Sequence, residues 1–339
     1  MSFLFVGGED TSYASTNGLS TTTNGSYYRS NFSRMAAGVN GGNTGVPLGS
    51  YLTFPFTATQ TIWAHGQVYP STSGANTNGV LIAFNDSTGT ARLVVRVGNG
   101  TNQYKVSTVT ASGTFVDLAT SATNVLNTGA VASVDFNITY STTGSFTMYV
   151  NGVSVLTYSG DLTAASGLTT LGGISLSGIS PYGTTWWSEI VVSTTSTLGL
   201  GLWTLAPAAA GATQGWTPNT VGNVNPTTIN DSNFVSTTTA NTISEWTTNS
   251  TVPSGTWSVL ALAQEARVRV GATGPQHFEW ILHVGGSDYT QGSVAPLTSF
   301  SNFTAAANNG IWTNNPSTGS AWITTNFGTG FNIGIESTT

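Results

Sequence analysis

The stretch FTMYVNGVSVLTYSG, residues 146–160, sets an Asn-Gly pair between two runs that alternate apolar and polar residues. An Asn-Gly centre supplies the two positive-φ positions of a type I′ turn, whose twist matches that of paired strands. A two-residue loop at Asn151-Gly152 pairs Val150 with Val153 and Met148 with Val155. Phe146, Met148 and Val150 are then expected to share a face with Val153, Val155 and Thr157, while Tyr149, Ser154 and Tyr158 turn the other way. The fold therefore contains a β-hairpin, and the reading of the rest follows from it.

Outward from the hairpin the same texture continues. Strands are expected at Val80–Asp86, Ala91–Gly98, Tyr104–Thr110, Ser133–Tyr140 and Trp186–Ser193, with turn signals at NDSTG, GNGTN and STTG. Regular short strands separated by turns describe an antiparallel sandwich. The composition agrees. Gly reaches 41 of 339 residues and charged residues only 6%, yet 39% hydrophobic and 11% aromatic residues suffice for a packed core. No window sustains a helical period, so the chain reads as all-β.

Charge narrows the partners. A net charge of −6 and only seven Lys and Arg, Lys105 being the one lysine, give no basic stripe for nucleic acid or an anionic membrane. No segment has transmembrane length, and the apolar run in MSFLFVGGED is too short for a secretory signal. With no cysteine there are no disulfides and no thiolate chemistry. Neutral Ser, Thr and Asn can bond across interfaces without desolvating ions, so contact between copies of the chain is expected, a trimer being preferred by analogy.

Around residues 194–215 strand alternation stops, and Pro207 interrupts an Ala- and Gly-rich run. This puts a domain boundary near residue 200, dividing the chain into 1–200 and 201–339. Beyond it, Thr256–Gly271 reads as one long strand, with His277–Gly286 as its hairpin partner across ATGPQ. SAWITTNF and FNIGIES add two short strands. Seven of the ten tryptophans fall in this half and give it a core of its own.

Two resemblances extend this reading. From Phe146 to Val192 the chain resembles laminin G and concanavalin A-like lectin sandwiches. FTMYVNG, VSVLTYSG, the Gly-Gly of LGGISLSG and the closing WWSEIVVS carry the likeness, and SYYRSNFSRMA (26–36) fits as an early strand. The resemblance implies a jelly-roll in which the strand before Asn-Gly is central and the last strand returns to the sheet holding the N-terminus. The second half is similar to a domain of bacteriophage structural proteins through TLGLGLWTLAP, TQGWTP, INDSNFVST, ALAQEARVRVG and the terminal IWTNNPSTGSAWITTNF and FNIGIES. This implies a virion component located on the particle surface. It is expected to be tail-associated or fibre-like with host-glycan binding; a capsid decoration protein is the alternative, and a free lectin or glycan-active enzyme the alternative of another class.

Arg92 with Arg96, and Arg267 with Arg269, share strand faces and could form guanidinium platforms; a solvated face balanced by acids is the plainer reading. No G-x-S-x-G elbow places a serine beside His65, His277 or His283. His277, Glu279 and His283 alternate on one face, but the histidines stand roughly 20 Å apart, too far to share an ion. Glu189, beside Trp186 and Trp187, is the one acid next to aromatics, and alternation equally makes it an exposed strand residue. NDSTG (85–89) and NDSN (230–233) offer one carboxylate each, too few for calcium and suited to Asx turns. Trp312 and Trp322 flank a Pro-containing turn as a clasp. The expectation is a protein without catalytic, metal or cofactor residues, not an enzyme, with no ligand-binding residue identified.

Overall fold

The computed structural model describes residues 2–8, 15–17, 19–40, 51–71, 79–98, 102–164, 166–177, 184–225, 230–249 and 252–339. Asn151 and Gly152 take φ of +49° and +78°, as the turn between the strands β12 (Gly144–Val150) and β13 (Val153–Gly160) requires. Val150 pairs with Val153. Beyond that the expected register fails: Met148 lies opposite Leu156, because a bulge at Val155 inserts one residue into β13. One extra residue inverts the alternation. Leu156 is therefore buried, and Val153 is 66% exposed at the turn.

Two antiparallel sheets build on this hairpin. The first runs in spatial order β13, β12, β11 (Ala132–Thr139), β6 (Thr61–Pro70), β15 (Thr184–Ser193), β4 (Ala36–Asn40) and β3 (Leu19–Thr22), with β1 (Phe3–Gly7) also paired to β15. The second runs β10 (Phe115–Thr120), β9 (Tyr104–Val109), β8 (Ala91–Val97), β7 (Val80–Asn85), β14 (Leu171–Leu176), β5 (Tyr51–Thr59) and β2 (Ser15–Asn17). The closing strand β15 does return beside β1. The hairpin, however, is peripheral: β13 is an edge strand and β12 its neighbour. Residues 26–32, expected as a strand, form turns, and the strand begins at Ala36.

Inward-facing residues of both sheets form one core. Phe5 stacks on Phe54 at 4.2 Å between ring centroids, and Phe84 meets Phe136 edge-on at 5.6 Å, each pair bridging the two sheets. Each such fully buried side chain contributes about 1.5–3 kcal/mol.

The contacts divide the chain into one unit running to Leu202 and another from Trp203 to Thr339. The second unit holds a five-stranded sheet in the order β16 (Pro207–Gln214), β17 (Thr242–Thr248), β24 (Asn332–Thr338), β20 (His277–Val284) and β21 (Ser287–Val294). Two short ribbons accompany it: β18 (Leu262–Ala263) with β23 (Ile311–Trp312), and β19 (Ala266–Val268) with β22 (Ser301–Phe303). The long strand expected over 256–271 is thus two short ones with other partners, and β20 pairs with β21 across Gly285-Gly286, not across ATGPQ. Pro207 opens an edge strand instead of breaking one, the position where a missing N–H costs least. SAWITTNF contributes a short 3-10 helix, Thr324–Phe327, in place of a strand. Phe278, Trp280, Leu282, Trp312, Trp322, Phe327 and Phe331 pack on one face of this sheet.

The molecule is therefore all-β, an antiparallel jelly-roll sandwich of the concanavalin A type followed by a smaller β unit.

Candidate functional site

Strand β6 decides what the eight-stranded sheet presents. Ile62, Ala64 and Val68 enter the core, so Trp63, His65, Gln67 and Tyr69 occupy the opposite face. Trp63 and Tyr69 stand about 20 Å apart along the strand. At one end Trp63 lies beside Tyr149, ring centroids 6.0 Å apart and planes within 18°. Asn137 pairs in register with both Trp63 and Thr147, which places amide and hydroxyl groups around the rings. At the other end Tyr27 stacks on Trp186 at 5.1 Å and meets Tyr69 at 4.8 Å. Gly38 makes room for the Trp186 ring, since a Cβ there would come within 2.5 Å of it. The aromatics at both ends are half-buried.

The middle of the row is polar and buried. His65 and Gln67 are each 3% exposed. His65 Nδ1 lies 2.9 Å from Asp135 Oδ1, and the Thr197 hydroxyl donates to the same oxygen at 2.8 Å. His65 Nε2, Gln67 Nε2 and Ser188 Oγ have no hydrogen-bond partner among the described residues, and Ser188 is the register neighbour of Gln67. Buried polar atoms left bare in this way are satisfied by water or by a ligand's polar groups. An imidazole held by a carboxylate at one nitrogen has a fixed ring orientation at the other. Sequence reasoning considered His65 only as a partner for an elbow serine. The signal it passed over was the W-x-H-x-Q-x-Y alternation of a single strand.

Glu189 is not an exposed strand residue. It sits at φ +56° on the bulge between Ser188 and Val191, fully buried. Arg29 grips both its oxygens, Nε to Oε1 at 2.9 Å and Nη2 to Oε2, and the Leu202 N–H donates to Oε2 at 3.2 Å. Arg29 also lies over the Phe32 ring at 4.1 Å. Glu189 is thereby a structural anchor for the chain leaving β15.

The arginine pairs form no open platforms; acids balance them, as the plainer reading has it, with Arg96 buried and Arg269 exposed. Arg92 bonds Asp86 at 2.8 Å, and Arg96, 6% exposed, bonds Ser107 at 2.9 Å and pairs with Asp117. Burial works to raise Asp117, but hydrogen bonds from Lys105, Ser107 and Arg96 hold its carboxyl at about 2. Arg267 grips Asp231 through two bonds of 2.6 Å, and Arg269 lies over Phe300 at 4.9 Å. Asp86 accepts from the Thr88 and Thr90 backbones, closing its loop as an Asx turn, and Asn230 accepts from Ser232 N–H. Trp312 and Trp322 are buried, their indole N–H groups donating to Gln264 and to the Trp312 carbonyl at 2.7 Å each.

On the second unit's sheet, His277, Glu279 and His283 do share a face, opposite the aromatic core. Glu279 stands directly across from Glu336. Burial first, then the charges of Glu279 and Asp288, push Glu336 above its usual range. His283 meets Asp288 at 2.5 Å, with Glu245 Oε1 3.9 Å from the same nitrogen. Glu245 is fully buried; burial, followed by Asp288, pushes it up to about 7 against the opposing Thr213 N–H and His283. Neither Glu245 nor Asp288 was singled out from sequence.

The fold is that of an antiparallel jelly-roll β-sandwich. Solved structures to which the chain is similar include the cellulose induced protein Cip1 (14% identity, TM-score 0.39, covering 57% of this chain and 92% of that one). They also include an endo-β-1,4-glucuronan lyase from the fungus Trichoderma reesei (12%, TM-score 0.41, 57% and 94%) and the receptor binding domain of botulinum neurotoxin type G (9%, TM-score 0.32, 55% and 44%). The chain thus spans under half the length of the toxin structure it matches. Likeness at this level speaks to fold alone. No protein-family model matches the sequence, and no curated protein matches it. The expectation of a chain that is not an enzyme is corrected here. Its structural neighbours include proteins described as glucuronan and alginate lyases, so inactivity does not follow from this fold.

Proposed function

We propose that this chain is a glycan-contacting structural protein that uses the outer face of the eight-stranded sheet. The observation that carries the reading is the Trp63–Tyr149 pair, two half-buried rings with nearly parallel planes and with Asn137 and Thr147 beside them. Aromatic faces match the apolar C–H faces of sugar rings, and neutral amides and hydroxyls bond sugar hydroxyls without the cost of stripping water from a charge. The second aromatic cluster, about 20 Å along β6, offers a separate contact on the same face. The setting we propose is the exterior of a bacteriophage particle, tail-associated or fibre-like, with copies of the chain in contact. That part is supported by the resemblance of the second half to phage structural domains and by the low charge.

A glycan array probed with the full chain tests the contact surface. Binding to neutral or acidic polysaccharide fragments is expected, with Trp63→Ala weakening it roughly tenfold, equivalent to about 1.4 kcal/mol. No binding across the array, or binding unchanged in Trp63→Ala, removes the proposal.

A further inference from the structure

The five strands of the second unit's sheet carry four carboxylates, Glu245, Glu279, Asp288 and Glu336, two histidines, and no lysine or arginine. All four acids lie on the face opposite the aromatic core. Three ligating atoms converge there: one each from Glu245, His283 and Asp288, all within 4.8 Å of one another. They come from three strands, β17, β20 and β21, of which β17 and β20 are separated by β24. Neighbouring strands lie about 4.8 Å apart, so Glu245 must reach across roughly 10 Å of sheet. Gly334 of β24 lets it do so. A Cβ at Gly334 would sit 3.0 Å from Glu245 Cγ and 2.4 Å from the Ser244 carbonyl.

Glu245 is where the account points to a ligand. Its side chain is fully buried, its Oε2 accepts from the Thr213 N–H at 3.1 Å, and its Oε1 accepts no hydrogen bond. That bare oxygen is aimed at His283 Nδ1, 3.9 Å away. A buried carboxylate oxygen without partner costs several kcal/mol unless a cation or donor meets it. No lysine or arginine on these strands supplies the charge.

We propose that Glu245, His283 and Asp288 bind a first-row divalent metal ion, zinc being the best match. One imidazole and two carboxylates make a mixed nitrogen-oxygen set that suits zinc, whereas calcium and magnesium take oxygen ligands. Three protein ligands leave at least one position for water or a polar ligand. Binding at about 2.0–2.2 Å requires the donors to stand roughly 3.3 Å apart, so Asp288 must swing away from its 2.5 Å contact with His283. Asp288 lies at the start of β21, on an exposed hairpin end where that rotation is cheap. The inference is independent of the glycan-binding reading, which concerns the other unit.

Calorimetric titration of the chelator-stripped full chain with Zn2+ is the test. One equivalent per chain is expected, with Glu245→Gln and His283→Ala each weakening binding at least roughly tenfold and Asp161→Asn, in the other unit, leaving it unchanged. Absence of saturable binding, binding that survives both variants, or a preference for Ca2+ over Zn2+ overturns the proposal. Should a variant fail to fold, Co2+ added to the unaltered chain decides. Visible bands of imidazole-carboxylate coordination at one equivalent support the site, and the spectrum of aqueous Co2+ rejects it.

Discussion

Two glutamates, one in each unit, are fully buried on a sheet face, and the molecule treats them differently. Glu189 is met by the Arg29 guanidinium at both oxygens and by the Leu202 N–H. Glu245 has one backbone N–H, a histidine at 3.9 Å and a second carboxylate beyond it. The first is a closed ion pair that ties the chain leaving β15 to the turn holding Arg29. The second is an open one, whose missing partner is a cation from outside. A buried charge is thus informative only together with its counter-charge: compensated, it is architecture; uncompensated, it marks a site.

The comparison can be broken most forcefully by making the sandwich resemble the second unit. Arg29→Met keeps the packing over Phe32 while leaving Glu189 without its cation. A loss of about 3 kcal/mol is expected, at the low end for breaking a buried pair because Arg29 is partly exposed. Denaturant unfolding monitored by tryptophan fluorescence measures it, and an unchanged midpoint would mean that the pair contributes little.

A smaller effect is expected at the hairpin. Gly152 has φ +78° with open space around it, so Gly152→Val is penalised by backbone strain alone, on the order of 1–3 kcal/mol. Its melting temperature should fall, whereas Asn151→Gly, which keeps positive φ accessible, should change it little.

The smallest effect separates closed ion pairs from the rest by pH. Asp117 is held at about 2 in the folded chain, below the ordinary 3.8. A lowered carboxyl pKa gives stability that is complete above the unfolded value and lost as pH falls through the folded one. The contribution of Asp117 is therefore present above about pH 4 and disappears between pH 4 and 2. Scanning calorimetry across that window should show a shallower decline for Asp117→Asn than for the unaltered chain.

How far the sequence disclosed this depends on how local each feature is. Asn151-Gly152 could be read directly because a type I′ turn involves two residues. The bulge at Val155 could not, since nothing in VSVLTYSG marks which residue will be extra. The bulge at Ser188–Val191 defeated strict alternation in the same way and concealed the burial of Glu189. Asp288 was within reach. Reading Gly285-Gly286 as a two-residue turn puts His283 opposite Asp288 by counting alone. Glu245 was not, because its approach to His283 depends on β24, some ninety residues later in the chain, lying between β17 and β20 with a glycine at the crossing. On the sandwich, the aromatic and polar row of β6 was legible as alternation, but its pairing with Tyr149 and Trp186 needed the strand order.

The difference between the two glutamates is tested most directly by melting Glu189→Gln and Glu245→Gln in the absence of added metal. Both substitutions keep shape and remove a charge. Glu189→Gln should lower the melting temperature by several degrees, since it strands Arg29. Glu245→Gln should leave it unchanged or raise it, since it relieves the crowding of Glu245 against Asp288 and removes a buried carboxylate that no guanidinium or ammonium meets. Equal destabilisation by the two would contradict the account, showing that Glu245 is as fully compensated as Glu189.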